Sequence, residues 1–325
     1  MFAQAAAAQS AGRTQPDARA PSAIVAAAPA ADWVAIAADD LLVMELAPDA
    51  QGRARRVVIQ LMPPPFSQGW VANIRALARA HWWDGLSVNR VQDNYVAQWG
   101  DADGEDKAKA KPLPAGLRTM TENEYVNPLS ALETAMEPVP VGGRLERESP
   151  VPTAGKQGFI SRSGPLDVYA RWAAPRYGWP VASDQRSIWP VHCYAMVGVG
   201  RNLSPDTGSG AELYTVIGQA PRHLDRNIAL VGRVVEGIEH LSSLPRGTEA
   251  LGFYKTPGER TAIRSIRLAS DLPAAERPRL QYLSTESATF AAYANARANR
   301  HDDFFIRPAG GADVCNIPVP VRRVP

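Results

Sequence analysis

The sequence predicts a mainly β fold with a few helices, broken by a long irregular insertion. Three observations predict it. Short apolar runs of strand type, bounded by Gly, Pro, Asn or Asp, recur over residues 33–101 and again over 192–283. Helical spacing is confined to a few stretches between them. From 102 to about 191 neither period is sustained, and many of the 28 prolines fall outside the periodic segments.

In chain order, residues 33–46 (WVAIAADDLLVMEL) hold two apolar runs split by Asp39 and Asp40, and 56–62 (RVVIQLM) is a third. Together they read as an opening meander of antiparallel strands. Three prolines at 63–65 stop the last run, and Ser67 is a candidate cap for a helix reaching about Trp83. Val71, Ile74, Leu77 and Ala78 form its buried stripe, with His81 as a core-edge residue. Asp84-Gly85 turns the chain into residues 88–101. After the insertion, 192–200 and 212–218 read as strands joined by a turn-rich loop, which lacks the Lys of a phosphate-binding loop and leads into a strand. A strand at 228–234, a helix near 237–244, strands at 263–269 and 280–283 and a helix from Ser287 to about Arg300 complete the order.

The domain reading follows: a flexible leader at 1–32, a main domain at 33–270 with an insertion at about 102–191, and a C-terminal extension at 271–325 that packs on the domain. The leader is rich in Ala, Ser, Gln and Pro, with few large apolar anchors to bury. Its small residues suit a secretory cleavage site, but it lacks a basic start and a strong apolar stretch, so it does not by itself establish export. Within the insertion, DADGEDKAKAK is a solvated charged loop, whereas Trp172, Tyr177, Trp179 and Trp189 form a cluster that packs down.

Composition excludes several classes of function. A net charge of +2, from 35 basic and 33 acidic residues, gives no electrostatic footprint for nucleic acid. No run approaches the roughly eighteen apolar residues a membrane span needs. The five histidines do not cluster at metal-ligand spacing, and Cys193 and Cys315 form no Cys-x-x-Cys pattern, so no metal is expected. In an exported protein the two cysteines are compatible with one disulfide, worth roughly 4–5 kcal/mol in the chain-entropy model. In a cytosolic protein they read as two buried thiols.

The stretch 88–101, VNRVQDNYVAQWGD, carries the chemistry. Arg90 and Gln98 share a parity along a strand, and Tyr95 has the other. A bulge or turn at Asp93-Asn94 would bring all three onto one wall. A charged donor, an amide and an aromatic ring suit a neutral, partly apolar, carbonyl-bearing ligand.

Element order and residues together resemble the cyclophilins, the peptidyl-prolyl cis-trans isomerases built on a closed eight-stranded antiparallel barrel with two capping helices. The family strand with His-Arg, an aromatic five residues later and Gln-Gly-Gly-Asp is matched by Asn89-Arg90, Tyr95 and Gln98-Trp99-Gly100-Asp101. A second block is matched loosely by Gly210-Ala211-Glu212-Leu213-Tyr214. A third is matched by Leu224-Asp225-Arg226-Asn227-Ile228 and Val231-Gly232-Arg233-Val234. The resemblance covers about 33–101 and 192–269 and points to a long-insert bacterial branch.

The resemblance implies Arg90 and Gln98 as catalytic residues, with Tyr95, Val96, Glu212, Leu213, Tyr214, His223 and Leu224 as the substrate-binding set. It implies proline-containing peptides or unfolded protein segments as partners, and no cofactor. The family pattern departs at Glu212 for Gln, Tyr214 for Phe, His223 for an aromatic, Ile228 for His and Val231 for Phe. An alternative is therefore a catalytically weak chaperone or proline-peptide binding module. The cysteine pair, the leader and the family's frequent role in folding exported proteins point to the periplasm, with the cytoplasm as the alternative.

Overall fold

The computed structural model describes residues 19–131 and 167–324. Its elements in order are α1 (Pro21–Ala26), β1 (Trp33–Ala35), β2 (Leu41–Leu46), β3 (Arg55–Leu61), α2 (Gln68–Arg79), β4 (Ser87–Val91) and β5 (Val96–Gly100). The insertion contributes β6 (Asn127–Pro128), β7 (Trp172–Arg176), β8 (Trp179–Ser183) and β9 (Ser187–Pro190). Then come β10 (Met196–Val199), β11 (Leu213–Val216), β12 (Leu230–Glu236), α3 (Glu239–Ser242), β13 (Thr261–Leu268), β14 (Leu280–Leu283), α4 (Ala288–Ala298) and β15 (Val321–Arg323). Short 3-10 turns link several of them.

Eight strands close an antiparallel barrel in the order β10-β11-β5-β4-β13-β2-β3-β12. Closure removes the unpaired edges that an open sheet would expose. Leu42, Met44 and Leu46 of β2 point inward, joined by Val57, Ile59 and Leu61 of β3 and by Trp70, Val71, Ile74 and Leu77 of α2. Leu41 and Val43 point outward, yet they too are buried, under Ile36, Ala269 and Leu280. This two-sided burial is why β2 reads as an unbroken apolar run and not as an alternating one.

What covers the outer face is a three-stranded sheet of order β1-β14-β15. The expected opening meander is thus only partly correct. β2 and β3 form a hairpin, but β1 pairs with β14, so Trp33 lies opposite Leu283 instead of joining the barrel. Helix α1 packs on α4, burying Ile24 with Phe290, Tyr293 and Ala294. The reading of 1–32 as a flexible leader therefore fails from residue 19 onward, because the C-terminal extension supplies the apolar partner the leader lacks alone. Residues 1–18 lie outside the described residues.

Two expectations at α2 also need correction. Ser67 has a left-handed backbone, φ 53°, and makes no capping bond, since a capping oxygen accepts from the first helical N–H groups only when its own residue is extended. His81 is exposed at φ 55° in the turn after the helix, not at the core edge. In the insertion, β6-β9-β8-β7 form a separate sheet. Trp179 and Trp189 are fully buried, and Trp172 and Tyr177 pack against the same core.

Candidate active site

The stretch 88–101 folds as the hairpin β4–β5, with Asn94 left-handed at φ 49° in the turn. The turn at Asp93-Asn94 brings Tyr95 round, but a bulge elsewhere sets the wall. Val88 lies opposite Trp99, whereas Arg90 lies opposite Gln98, so Asn89 is an extra residue in β4. Val88 and Val91 both point into the core, three positions apart, and only an inserted residue reconciles that spacing with a period of two. The bulge turns Arg90 outward, onto the face that Gln98 shares.

The Arg90 guanidinium is fixed from several sides. Its Nε donates to the Leu251 carbonyl at 2.8 Å and Nη1 to Gln98 Oε1 at 3.1 Å, and Nη2 donates to Gln92 Oε1. The Tyr95 and Phe253 rings flank it at 5.7 and 5.3 Å. Burial pushes its pKa down from the ordinary guanidinium value, and Tyr95 opposes the shift. It remains a cation at any physiological pH.

Beside this wall lies an apolar floor. Val96 pairs with Val216 across β5–β11, and Tyr214 with Gln98. Val96, Tyr214 and Val216 are buried together on the outer barrel face, with Tyr95 and Ile228 packed over them. Gly198 makes room for this ring: a Cβ there would lie 2.3 Å from the Tyr214 hydroxyl oxygen. Glu212 is tucked against Gly100, where a Cβ would meet its carboxylate at 2.1 Å, and its Oε1 accepts from the Asp101 amide at 2.6 Å. Burial raises the Glu212 pKa to about 7, against the lowering pull of the Asp101 amide and the Gln98 side chain.

Of the residues expected from sequence, Arg90, Gln98, Tyr95, Val96, Tyr214 and Glu212 come together here. Leu213 does not. Its side chain enters the barrel core on the opposite face of β11, one position out of phase with Tyr214. His223 is exposed and Leu224 half-buried on the neighbouring 3-10 turn Arg222–Leu224, outside the apolar floor. Sequence reasoning missed Val216, Ile228, Gln92, Leu251 and Phe253 as parts of the site. Parity with Tyr214 could have found Val216; nothing local marks Phe253, which reaches Arg90 through an isolated bridge from a distant loop.

Behind the floor the Tyr214 hydroxyl meets His192 Nε2 at 2.9 Å, and His192 Nδ1 meets Asp225 Oδ1 at 2.9 Å. The adjacent Cys193 is joined to Cys315 in a disulfide with Cα atoms 5.1 Å apart.

Residues 56–267 match the family model described as cyclophilin type peptidyl-prolyl cis-trans isomerase/CLD. The chain belongs to the cyclophilins. This cyclophilin is accordingly a peptidyl-prolyl cis-trans isomerase by family, with the closed barrel that family implies. Its fold is similar to that of a cyclophilin from Hirschia baltica, at 21% identity and a TM-score of 0.60, over 89% of this chain and 92% of that one. A cyclophilin type isomerase from Cryptosporidium parvum matches at 12% identity and a TM-score of 0.38, over 70% of this chain and 96% of that one. The same Cryptosporidium protein in the presence of the dipeptide Ala-Pro matches at 11% and 0.34, over 70% and 98%. No curated protein matches this cyclophilin.

Proposed function

We propose that this cyclophilin turns over X-Pro bonds at the wall formed by Arg90 and Gln98, with the proline ring seated between Tyr95 and Ile228 over the floor of Val96 and Tyr214, which buried Val216 backs. The observation that supports this reading is the fixed Arg90 guanidinium beside an apolar floor, on a strand bulged to face it outward.

The chemistry needs no more than this. Amide resonance sets a barrier of about 18–20 kcal/mol, and rotation to the twisted state localises the lone pair on the prolyl nitrogen. A donor aimed at that nitrogen binds the twisted amide better than either planar form, which is the condition for lowering the barrier. Three of the five guanidinium N–H groups are engaged by Leu251, Gln98 and Gln92, which aim the remainder without rearrangement. Gln98 keeps its amide nitrogen for the substrate backbone or for Glu212. The floor binds the ring by apolar burial, and the Tyr214 hydroxyl faces His192.

Proline-containing and unfolded segments of other proteins are the natural substrates on this reading. The disulfide supports an oxidising compartment, and with it a periplasmic role in folding exported proteins. Titration with a short X-Pro peptide, followed by NMR, tests the site. Shifts centred on Tyr95, Val96 and Gln98, with cis–trans exchange of the peptide speeded, are expected. Binding centred elsewhere, or exchange left at its uncatalysed rate, contradicts the assignment.

A further inference from the structure

Tyrosine on the floor of a proline pocket poses a problem, because its hydroxyl must find a partner or be desolvated unpaired. The pocket reading of the preceding section is the premise here. Tyr214 is only 4% exposed, and the single polar partner of its hydroxyl among the described residues is His192 Nε2 at 2.9 Å. The two rings are nearly parallel, 12° apart.

His192 is itself completely buried and doubly held. Asp225 Oδ1 accepts from the His192 main-chain amide at 2.9 Å and faces Nδ1 at 2.9 Å. A carboxylate on Nδ1 fixes the proton there, which leaves Nε2 as an acceptor for the tyrosine O–H. Asp225 is held in turn: its Oδ2 accepts from Arg222 Nε at 2.8 Å, and the Arg222 terminal nitrogens donate to both oxygens of Asp167 at 2.9 and 3.0 Å. Arg222, Asp225 and Asp167 side chains are each 3% exposed. Asp313 adds a longer ion pair to Arg222 at 3.7 Å from the C-terminal extension.

We infer that His192 is a positioning residue for isomerisation: it takes the Tyr214 hydroxyl away from the proline pocket, so that the floor presents an aromatic face with no polar atom. Asp225, Arg222 and Asp167 fix the imidazole in the tautomer that can do so. A tyrosine then serves on the floor without carrying a desolvated hydroxyl into the pocket.

A mutant cycle with two readouts tests this. H192L removes the acceptor, and the unpaired hydroxyl turns toward the pocket. Affinity for a short X-Pro peptide is expected to fall at least about fivefold, whereas the same H192L change in the Y214F background lowers it less than about twofold. A merely structural histidine would weaken binding equally in both backgrounds, and that result overturns the inference, as does no weakening in either. The second readout is independent of peptide and of whether H192L folds. In the native chain the His192 ring nitrogens are expected to show an Nδ1–H tautomer whose Nε2 resonance moves in Y214F. An Nε2–H tautomer overturns the inference. If the native chain binds no peptide, the pocket reading fails, and the tautomer still decides whether His192 holds the hydroxyl.

Discussion

Glu212 is a largely buried carboxyl beside Gln98 and Gly100 at the edge of the site. Burial, tight against Gly100, raises its pKa to about 7 from an ordinary 4.5 despite the opposing hydrogen bonds from the Asp101 amide and Gln98, so its neutral form is the one the fold favours. A carboxyl raised in the folded state contributes stability that is full below about pH 4.5 and is lost as pH climbs through 7, an effect of about 3 kcal/mol. Glu212→Gln keeps a carbonyl acceptor for the Asp101 amide but cannot ionise. Urea unfolding at pH 5 and pH 9 should therefore show the native chain losing more stability with rising pH than the variant, and parallel losses would contradict the shift. Arg90, Tyr95 and Gln98 were legible in the sequence because their spacing is a motif. The Asn89 bulge that aims Arg90 was not, because a bulge is set by which neighbours must point inward. His192 was read only as the neighbour of Cys193, and Leu213 was placed in the site only because it stands next to Tyr214.

Elements show the same division. Barrel strands were readable wherever both faces are covered, since a continuous apolar run is what two-sided burial leaves in a sequence. β1 was misplaced because its partner, β14, lies at the other end of the chain and no local signal separates it from β2. The exact start of β10 was likewise overread: residues 192–195 lie outside the strand, and Ala195 has a left-handed backbone at φ 68°. Strand β10 also carries a sharp test of the floor. Gly198→Ala places a methyl 2.3 Å from the Tyr214 hydroxyl oxygen and 2.4 Å from the ring carbon that bears it. The ring must move, so the variant should lose about 1–3 kcal/mol of stability and bind an X-Pro peptide more weakly than the native chain. Native peptide affinity in a folded Gly198→Ala variant would show that the ring does not form the floor.

At the scale of the whole molecule, the two terminal regions and the insertion converge behind the barrel face that bears the site. α1 and β1 join the extension through α4 and β14, Gly178 and Trp179 of the insertion bind the buried Arg233, and Asp167 and Asp313 meet at Arg222. The disulfide closes a span of 122 residues over this junction. Replacing both cysteines by serine should lower the stability of the chain by about 2–5 kcal/mol, read as a lower urea midpoint, and an unchanged midpoint would show that the bridge constrains nothing. The barrel itself was legible from strand order. The three-stranded outer sheet was not, because its strands come from opposite ends of the chain and nothing local shows that they pair with one another.

The most direct test of the site is the cis–trans rate of a short X-Pro peptide with the native chain and with Arg90→Ala. The site as described predicts a clear acceleration by the native chain and a fall of about 10²–10³-fold in kcat/KM on losing the aimed donor, with the barrel still folded. An Arg90→Ala variant that accelerates the peptide as well as the native chain does would contradict the assignment of Arg90 to the reacting amide.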